Sequence, residues 1–102
     1  NILNILDILS PTPALSGYPK KISLDLISEV ESYDRGWYTG AIGWVNNNFD
    51  CKFYAGLRSL FITNNNIYIY GGAGVTNDSN DLDEWNEILY KINCLDEIID
   101  EL

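Results

Sequence analysis

Apolar positions recur at helical spacing in two stretches of the chain. From Lys20 to Glu31, Ile22, Leu24, Leu26, Ile27 and Val30 fall on one face and predict an amphipathic helix. Pro19 suits its first residue, where the fixed φ is helical and the missing N–H costs nothing. From Leu82 to about Ile98, Trp85, Leu89, Ile92 and Leu95 form a second stripe, and Asp78-Ser79-Asn80-Asp81 supplies N-cap candidates before it. Between the two, the pattern shifts to aromatic and β-branched runs. Trp37 to Val45, Lys52 to Thr63 and Ile67 to Tyr70 read as three strands. Asn46-Asn47-Asn48 and Asn64-Asn65-Asn66 join them as turns that tolerate positive φ, giving an antiparallel meander. Residues 1–9 fit the end of a helix or a strand, and the prolines of Ser10-Pro11-Thr12-Pro13 then impose an extended or turning loop. Helix, three strands and helix make an α+β arrangement with no linker that splits it.

At 102 residues, 46% of them hydrophobic, the chain is long enough for one small domain with a core. It holds no methionine and starts inside an apolar segment, Asn1-Ile2-Leu3-Asn4, so it is expected to be a piece of a longer protein. A free piece would expose surfaces that the rest normally covers, and self-association or domain swapping is the corresponding expectation. Charge narrows the partners. A net charge of −9 with six scattered cations argues against nucleic acid, which needs clustered Lys and Arg, and against an anionic membrane surface. No apolar stretch approaches the roughly 20 residues of a spanning helix, and a cytoplasmic location is the expectation. Cys51 and Cys94 lack metal-ligand spacing and read as ordinary buried or half-buried thiols in a reducing compartment. The absence of histidine removes Ser-His-Asp and Cys-His catalysis and the usual zinc sites. Any metal would be held by oxygen, which makes Mg²⁺ the natural candidate.

Three weak signals carry chemistry. Glu84 and Glu87 lie three apart on the second predicted helix, with Lys91 four beyond. That spacing suits a solvated face with one favourable ion pair, and equally a carboxylate ligand for a hard cation beside an ammonium for an anionic substrate. Gly71-Gly72-Ala73-Gly74 is either a tight strand exit or a turn whose amides approach an anion; it is neither a Walker loop nor a dinucleotide fingerprint. Gly40 and Gly43 read as close packing or a bulge. Arg58 is the only cation within the predicted strand from Phe53 to Thr63, so it either faces solvent or is buried with an anion suited to its fork.

Taken together, the segments Pro11-Thr12-Pro13-Ala14-Leu15-Ser16-Gly17-Tyr18-Pro19, Tyr33-Asp34-Arg35-Gly36-Trp37-Tyr38, Gly40-Ala41-Ile42-Gly43-Trp44, Leu57-Arg58-Ser59, Gly72-Ala73-Gly74-Val75 and Glu84-Trp85-Asn86-Glu87 resemble the chorismate-utilising enzymes. These are the isochorismate, salicylate, anthranilate and aminodeoxychorismate synthases. The likeness runs in family order from about residue 8 to 95 and matches the C-terminal part of the family's domain, so residues 1–102 are expected to be a partial chorismate-binding domain in a layered α+β fold. The first segment is most similar to isochorismate synthases, except that Ser10 stands where they usually have histidine. Amine-transferring relatives usually have threonine where Ala14 stands, so Ala14 implies water rather than ammonia as nucleophile.

The resemblance implies roles. Glu87 would be a Mg²⁺ ligand with Glu84 in support. Arg58 and Lys91 would bind the substrate's carboxylates, assisted by amides at Gly72, Ala73 and Gly74. Tyr38 would line the pocket, and Ala14 and Leu15 would lie beside the ring carbon that is attacked. A fork, an ammonium, backbone donors and a cation together suit the dianion chorismate. The family's general base lysine, general acid glutamate and other metal carboxylate lie upstream, so no catalytic residue is expected here and the piece alone should be inactive. The remaining N-terminal part of the enzyme is thus an expected partner. A small acidic binding module, with the Glu84 to Lys91 helix merely solvated, is the reading from another class.

Overall fold

A computed structural model describes residues 1–101. Its contacts divide the chain into two compact units, Asn1–Gly56 and a second that begins at Leu57. The content is helices and antiparallel two-stranded sheets, the α+β class expected.

In the first unit, α1 (Ile2–Leu9) resolves the ambiguous N-terminal stretch as a helix. Asn1 caps it by accepting from the Leu3 amide at 3.0 Å. The helix leaves Leu3, Ile5, Ile8 and Leu9 exposed. A single turn, α2 (Pro13–Ser16), sits inside the proline loop, and Gly17 ends it at φ 81. There a side chain would also meet Ser23 at 2.7 Å. The helix expected from Lys20 is present as α3 (Lys20–Val30), but Pro19 is its N-cap rather than its first residue: ψ of 140° leaves it extended, and the helical turn starts one residue later.

The predicted strand Trp37 to Val45 is shortened to β1 (Ala41–Val45). Trp37–Gly40 form a turn instead, because Tyr38 N–H donates to Arg35, Gly40 N–H donates to Trp37, and Thr39 adopts φ 66. β1 pairs antiparallel with β2 (Cys51–Ala55) from Ala41↔Ala55 to Val45↔Cys51. Asn46 organises the intervening turn through its Oδ1, which accepts from the Asn48 and Asp50 amides at 2.9 and 3.0 Å. Gly43 faces Phe53 in this register, and any side chain there would meet the Lys52 carbonyl and the Phe53 ring, as close packing requires. The unit's buried centre is narrow: Tyr38, Thr39, Ser16 and Gly56.

Gly56 closes the unit. Its carbonyl accepts from Thr39 at 2.7 Å, its amide donates to Gly40 at 2.9 Å, and a Cβ would come within 2.7 Å of the Trp37 carbonyl. Backbone on backbone leaves no flexible atom to yield. Gly56→Ala is therefore expected to destabilise the fold by roughly 1–3 kcal/mol, read as a lowered urea midpoint with unchanged m; an unchanged midpoint would contradict the packing described.

The predicted long strand Lys52 to Thr63 is two strands, not one. Gly56-Leu57-Arg58 interrupts it, with Arg58 at φ 46, a conformation that no strand residue adopts. In the second unit, β3 (Ser59–Ile62) pairs antiparallel with β4 (Ile67–Tyr70) across the Asn64–Asn66 turn. Phe61 and Tyr68 face each other with ring centroids 5.9 Å apart. The meander of three strands is thus replaced by two separate hairpins. The chain then runs without regular structure through Gly71–Gly74 to α4 (Asp81–Asp100). Asn80 is the cap, its Oδ1 accepting from Leu82 and Asp83 at 3.1 Å each. Ile92 and Leu95 are half-buried as expected, but Trp85 and Leu89 are exposed while Ile88 and Ile99 turn inward. The packed stripe is rotated because Gly71 sets where the helix can approach: a Cβ there would lie 3.2 Å from Ile92. Cys94 and Cys51 are both exposed rather than buried or half-buried, because Cys94 falls off this stripe and Cys51 pairs with the exposed Val45 at the turn end of a two-stranded sheet.

Candidate functional site

The second unit gathers most of the predicted ligand-binding residues. Asn80 starts α4 in a register that puts Glu84, Glu87 and Lys91 on successive turns of one side, with Glu84 and Lys91 half-buried and Glu87 exposed. The Lys91 ammonium reaches in two directions. It pairs with the Glu87 carboxylate at 2.7 Å and donates to the Gly72 carbonyl at 2.9 Å, nineteen residues away in sequence. The second bond fastens the glycine turn to the helix. Lys91, Glu84, Glu87 and Gly72 therefore share one locus, with Ala73 and Gly74 continuing from it.

Lys91 lowers the Glu87 pKa below the ordinary carboxylate value, chiefly by its hydrogen bond and charge; Glu84 and Arg58 add to the effect. A depressed folded pKa contributes stability above the unfolded pKa, which is lost as pH falls through the folded one. The Lys91 pair thus persists at neutral pH and opens only in acid. Lys91→Met is expected to remove both the charged hydrogen bond to Glu87, which solvent screens, and the bond to the Gly72 carbonyl. Amide exchange across Gly71–Gly74 should accelerate at pH 7. Exchange unaffected by the substitution would show that the ammonium does not hold the turn.

Two carboxylates one turn apart fit part of a Mg²⁺ site, since Mg²⁺ typically takes one or two carboxylates and completes its shell with water and substrate oxygens. No third His, Cys, Asp or Glu joins them among the described residues. A cation there would compete with Lys91 for Glu87.

Arg58 is exposed, and its guanidinium has no ion pair among the described residues. Its charge is the smallest of the influences that lower the Glu87 pKa. The expected alternatives were a solvent-facing or a buried and paired side chain, and in this chain the first holds.

In the first unit, Ala14 lies exposed on α2 and Leu15 beside it is half-buried. Tyr38 is buried to 8% exposure, with the Arg35 guanidinium 5.7 Å from its ring centroid. Burial raises the Tyr38 pKa, and Arg35 partly offsets it. Two cations that the sequence did not single out hold this region. Lys20 donates to the Ser10 carbonyl at 2.8 Å and to Asp7 at 3.2 Å, tying the end of α1 to the proline loop. Arg35 forks onto Glu31, with Nε–Oε2 at 2.7 Å and Nη2–Oε1 at 2.5 Å. The Glu31 to Arg35 spacing, an acid four before a cation, was the available signal. Arg35 lies past the end of α3, so helical periodicity alone does not pair it with Glu31. An open groove of about 590 Å³ borders this pair, lined by Leu24, Ile27, Tyr33 and Asp34 among others, and contains none of the predicted site residues.

The family model described as chorismate binding enzyme matches residues 1–100. The chain is 37% identical over 98 residues to the salicylate biosynthesis isochorismate synthase of Pseudomonas aeruginosa, covering 96% of this chain and 21% of that protein. It is 41% identical over 86 residues to isochorismate synthase MenF of Haemophilus influenzae, covering 84% and 20% respectively. Anthranilate synthase component 1 of Saccharolobus solfataricus is 34% identical over 95 residues, covering 93% and 23%. The chain thus spans about a fifth of the length of these relatives. No solved structure matches. No helix among the described residues is long and apolar enough to cross a membrane. With the family model matched almost from end to end and several relatives above 30% identity, the chain belongs to the chorismate-binding enzyme family.

Proposed function

We propose that this chain is the C-terminal portion of a Mg²⁺-dependent isochorismate synthase, a partial chorismate-binding domain that supplies binding groups rather than proton-transfer groups. The observation that carries the reading is the Lys91 bridge between Gly72 and Glu87, which joins the glycine turn, an ammonium and two carboxylates at one locus. An isolated solvated helix face would need only the Glu87 to Lys91 pair; the bond to Gly72 supports a binding role.

In the reaction, water forms a C–O bond at C2 of chorismate, the ring double bonds shift, and the C4 hydroxyl leaves. One water enters and one departs, so the product is an isomer. Lys91 and Arg58 offset the substrate's carboxylates, the amides of Gly72, Ala73 and Gly74 add neutral donors, and Glu87 with Glu84 holds the cation. Mg²⁺ held by these carboxylates would supply charge neutralisation for the dianionic substrate. Ala14 and Leu15 border the attacked carbon, and the small apolar Ala14 supports water as nucleophile. The general base and acid belong to the remainder of the enzyme, so the chain alone is proposed to be inactive. The exposed apolar residues of α1 and Trp85 of α4 suit burial against that remainder. A cytoplasmic enzyme on a menaquinone or siderophore route completes the proposal.

Product identity tests it. The full-length protein, given chorismate and Mg²⁺ with and without ammonium, is expected to form isochorismate in both cases by chromatography. Salicylate with pyruvate would favour a salicylate synthase, and an ammonium-dependent aminated product an anthranilate or aminodeoxychorismate synthase.

A further inference from the structure

Arg35 lies at the meeting point of three segments. Its fork is held by Glu31 at the end of α3, and both side chains are about one-fifth exposed. The same guanidinium turns Nη1 to the Leu15 carbonyl on α2 and to Thr39 Oγ1, each at 3.4 Å. It also lies over the buried ring of Tyr38. Thr39 has positive φ, costly for a β-branched residue, and is held there by this contact and by its amide bond to Gly56. Glu31 raises the Arg35 pKa further, mainly through their hydrogen bond, so the charge persists throughout the working range. On its other side α2 is closed by Ser16, fully buried, whose hydroxyl donates to Thr12 at 3.0 Å. Among the described residues no other cation reaches α2.

We propose that Arg35, gripped by Glu31, is a positioning residue that fixes the Leu15 carbonyl and with it the Ala14–Leu15 segment beside the ring carbon attacked by water. The role rests on the isochorismate synthase reading for its chemistry, but not for its geometry. Arg35 acts through the backbone of α2 and touches no substrate. Lysine cannot replace it, because one ammonium cannot hold Glu31 through two parallel bonds while also reaching Leu15 and Thr39. A shift of about 1 Å in the segment lining the attacked carbon costs up to about 10²-fold in turnover, while substrate affinity, set by Arg58 and Lys91, changes little.

The test uses the full-length protein with Arg35→Lys, Arg35→Ala and Glu31→Gln, and two readouts. The first is amide exchange of residues 13–17 without chorismate, where the Ser16 and Gly17 amides donate to Thr12 and Pro13. Arg35→Lys is expected to accelerate it at least ~10-fold, and Glu31→Gln less, as a local opening that leaves α4 unaffected. The second is steady-state turnover: kcat should fall ~10- to 100-fold with KM within about threefold, and millimolar guanidinium should restore part of the Arg35→Ala loss. Unchanged exchange in Arg35→Lys overturns the clamp whatever the protein makes. Accelerated exchange with unchanged kcat, or with KM raised as much as kcat falls, overturns the positioning role. If the unsubstituted protein forms no isochorismate yet exchange accelerates on substitution, the functional reading fails while the clamp stands.

Discussion

Replacing Glu87 by Gln in the full-length protein is expected to abolish the response of chorismate turnover to Mg²⁺ at the concentrations that saturate the unsubstituted protein. The substitution keeps the side chain's shape and removes its charge, so Lys91 loses its ion pair but keeps the Gly72 carbonyl. Any structural consequence is therefore small, because the pair is exposed on the Glu87 side. The consequence for a cation is large. Outer-shell groups cost about 10- to 100-fold in metal affinity when removed, and a direct carboxylate ligand should cost at least ~100-fold. Glu84→Gln, which removes the supporting carboxylate, should cost less. A Mg²⁺ titration that superimposes on that of the unsubstituted enzyme would return Glu84, Glu87 and Lys91 to a solvated helix face and favour the acidic-module reading.

Arg58→Ala should act on chorismate rather than on the metal. Arg58 occupies φ 46 without glycine's freedom, a conformation that costs of order 1 kcal/mol, and its fork carries no ion pair in this chain. A strained backbone that presents an unspent guanidinium is the arrangement expected of a carboxylate receptor. Loss of that contact in a closed site should weaken chorismate binding by about 2–4 kcal/mol, or ~30- to 1000-fold, with Arg58→Lys intermediate. Arg58→Gly separates backbone from side chain: it relieves the positive φ, so an equal loss of affinity assigns the effect to the guanidinium. Affinity within twofold of the unsubstituted enzyme in Arg58→Ala would remove Arg58 from the site.

The sequence is most legible where periodicity decides the structure. Helices α3 and α4 and both Asn-rich turns follow from spacing and from turn chemistry. It is least legible where the backbone leaves the ordinary regions at residues that do not announce it. Thr39 at φ 66 cuts short the strand expected from Trp37, and Arg58 at φ 46 splits the strand expected from Lys52. Neither residue type signals positive φ, and in each case hydrogen bonds around Gly40 and Gly56, or the turn that precedes β3, override strand propensity. In α4 the helix and half of its inward face, Ile92 and Leu95, were readable, but the close approach of Gly71 at Ile92 brings in Ile88 and leaves Trp85 and Leu89 exposed.

For the site, the spacing of Glu84, Glu87 and Lys91 was visible as a motif, yet spacing alone is equally that of a surface ion pair. What distinguishes them is the bond from Lys91 to Gly72, a tertiary contact that no local pattern encodes. The family motifs in register supplied the functional expectation, and the family match from residue 1 to 100 agrees with it. The clamp of Arg35 on Glu31 was the reverse case, a local spacing whose importance appears only once Leu15 and Thr39 are seen to meet the same guanidinium.

The central claim is that water, admitted beside Ala14, is the nucleophile added to chorismate by the enzyme to which this chain belongs. Mass spectrometry of the product formed by the full-length protein from chorismate and Mg²⁺ in ¹⁸O-labelled water tests it most directly. Isochorismate carrying one ¹⁸O, at C2, is the result expected; unlabelled isochorismate, or no isochorismate at all, would contradict the account.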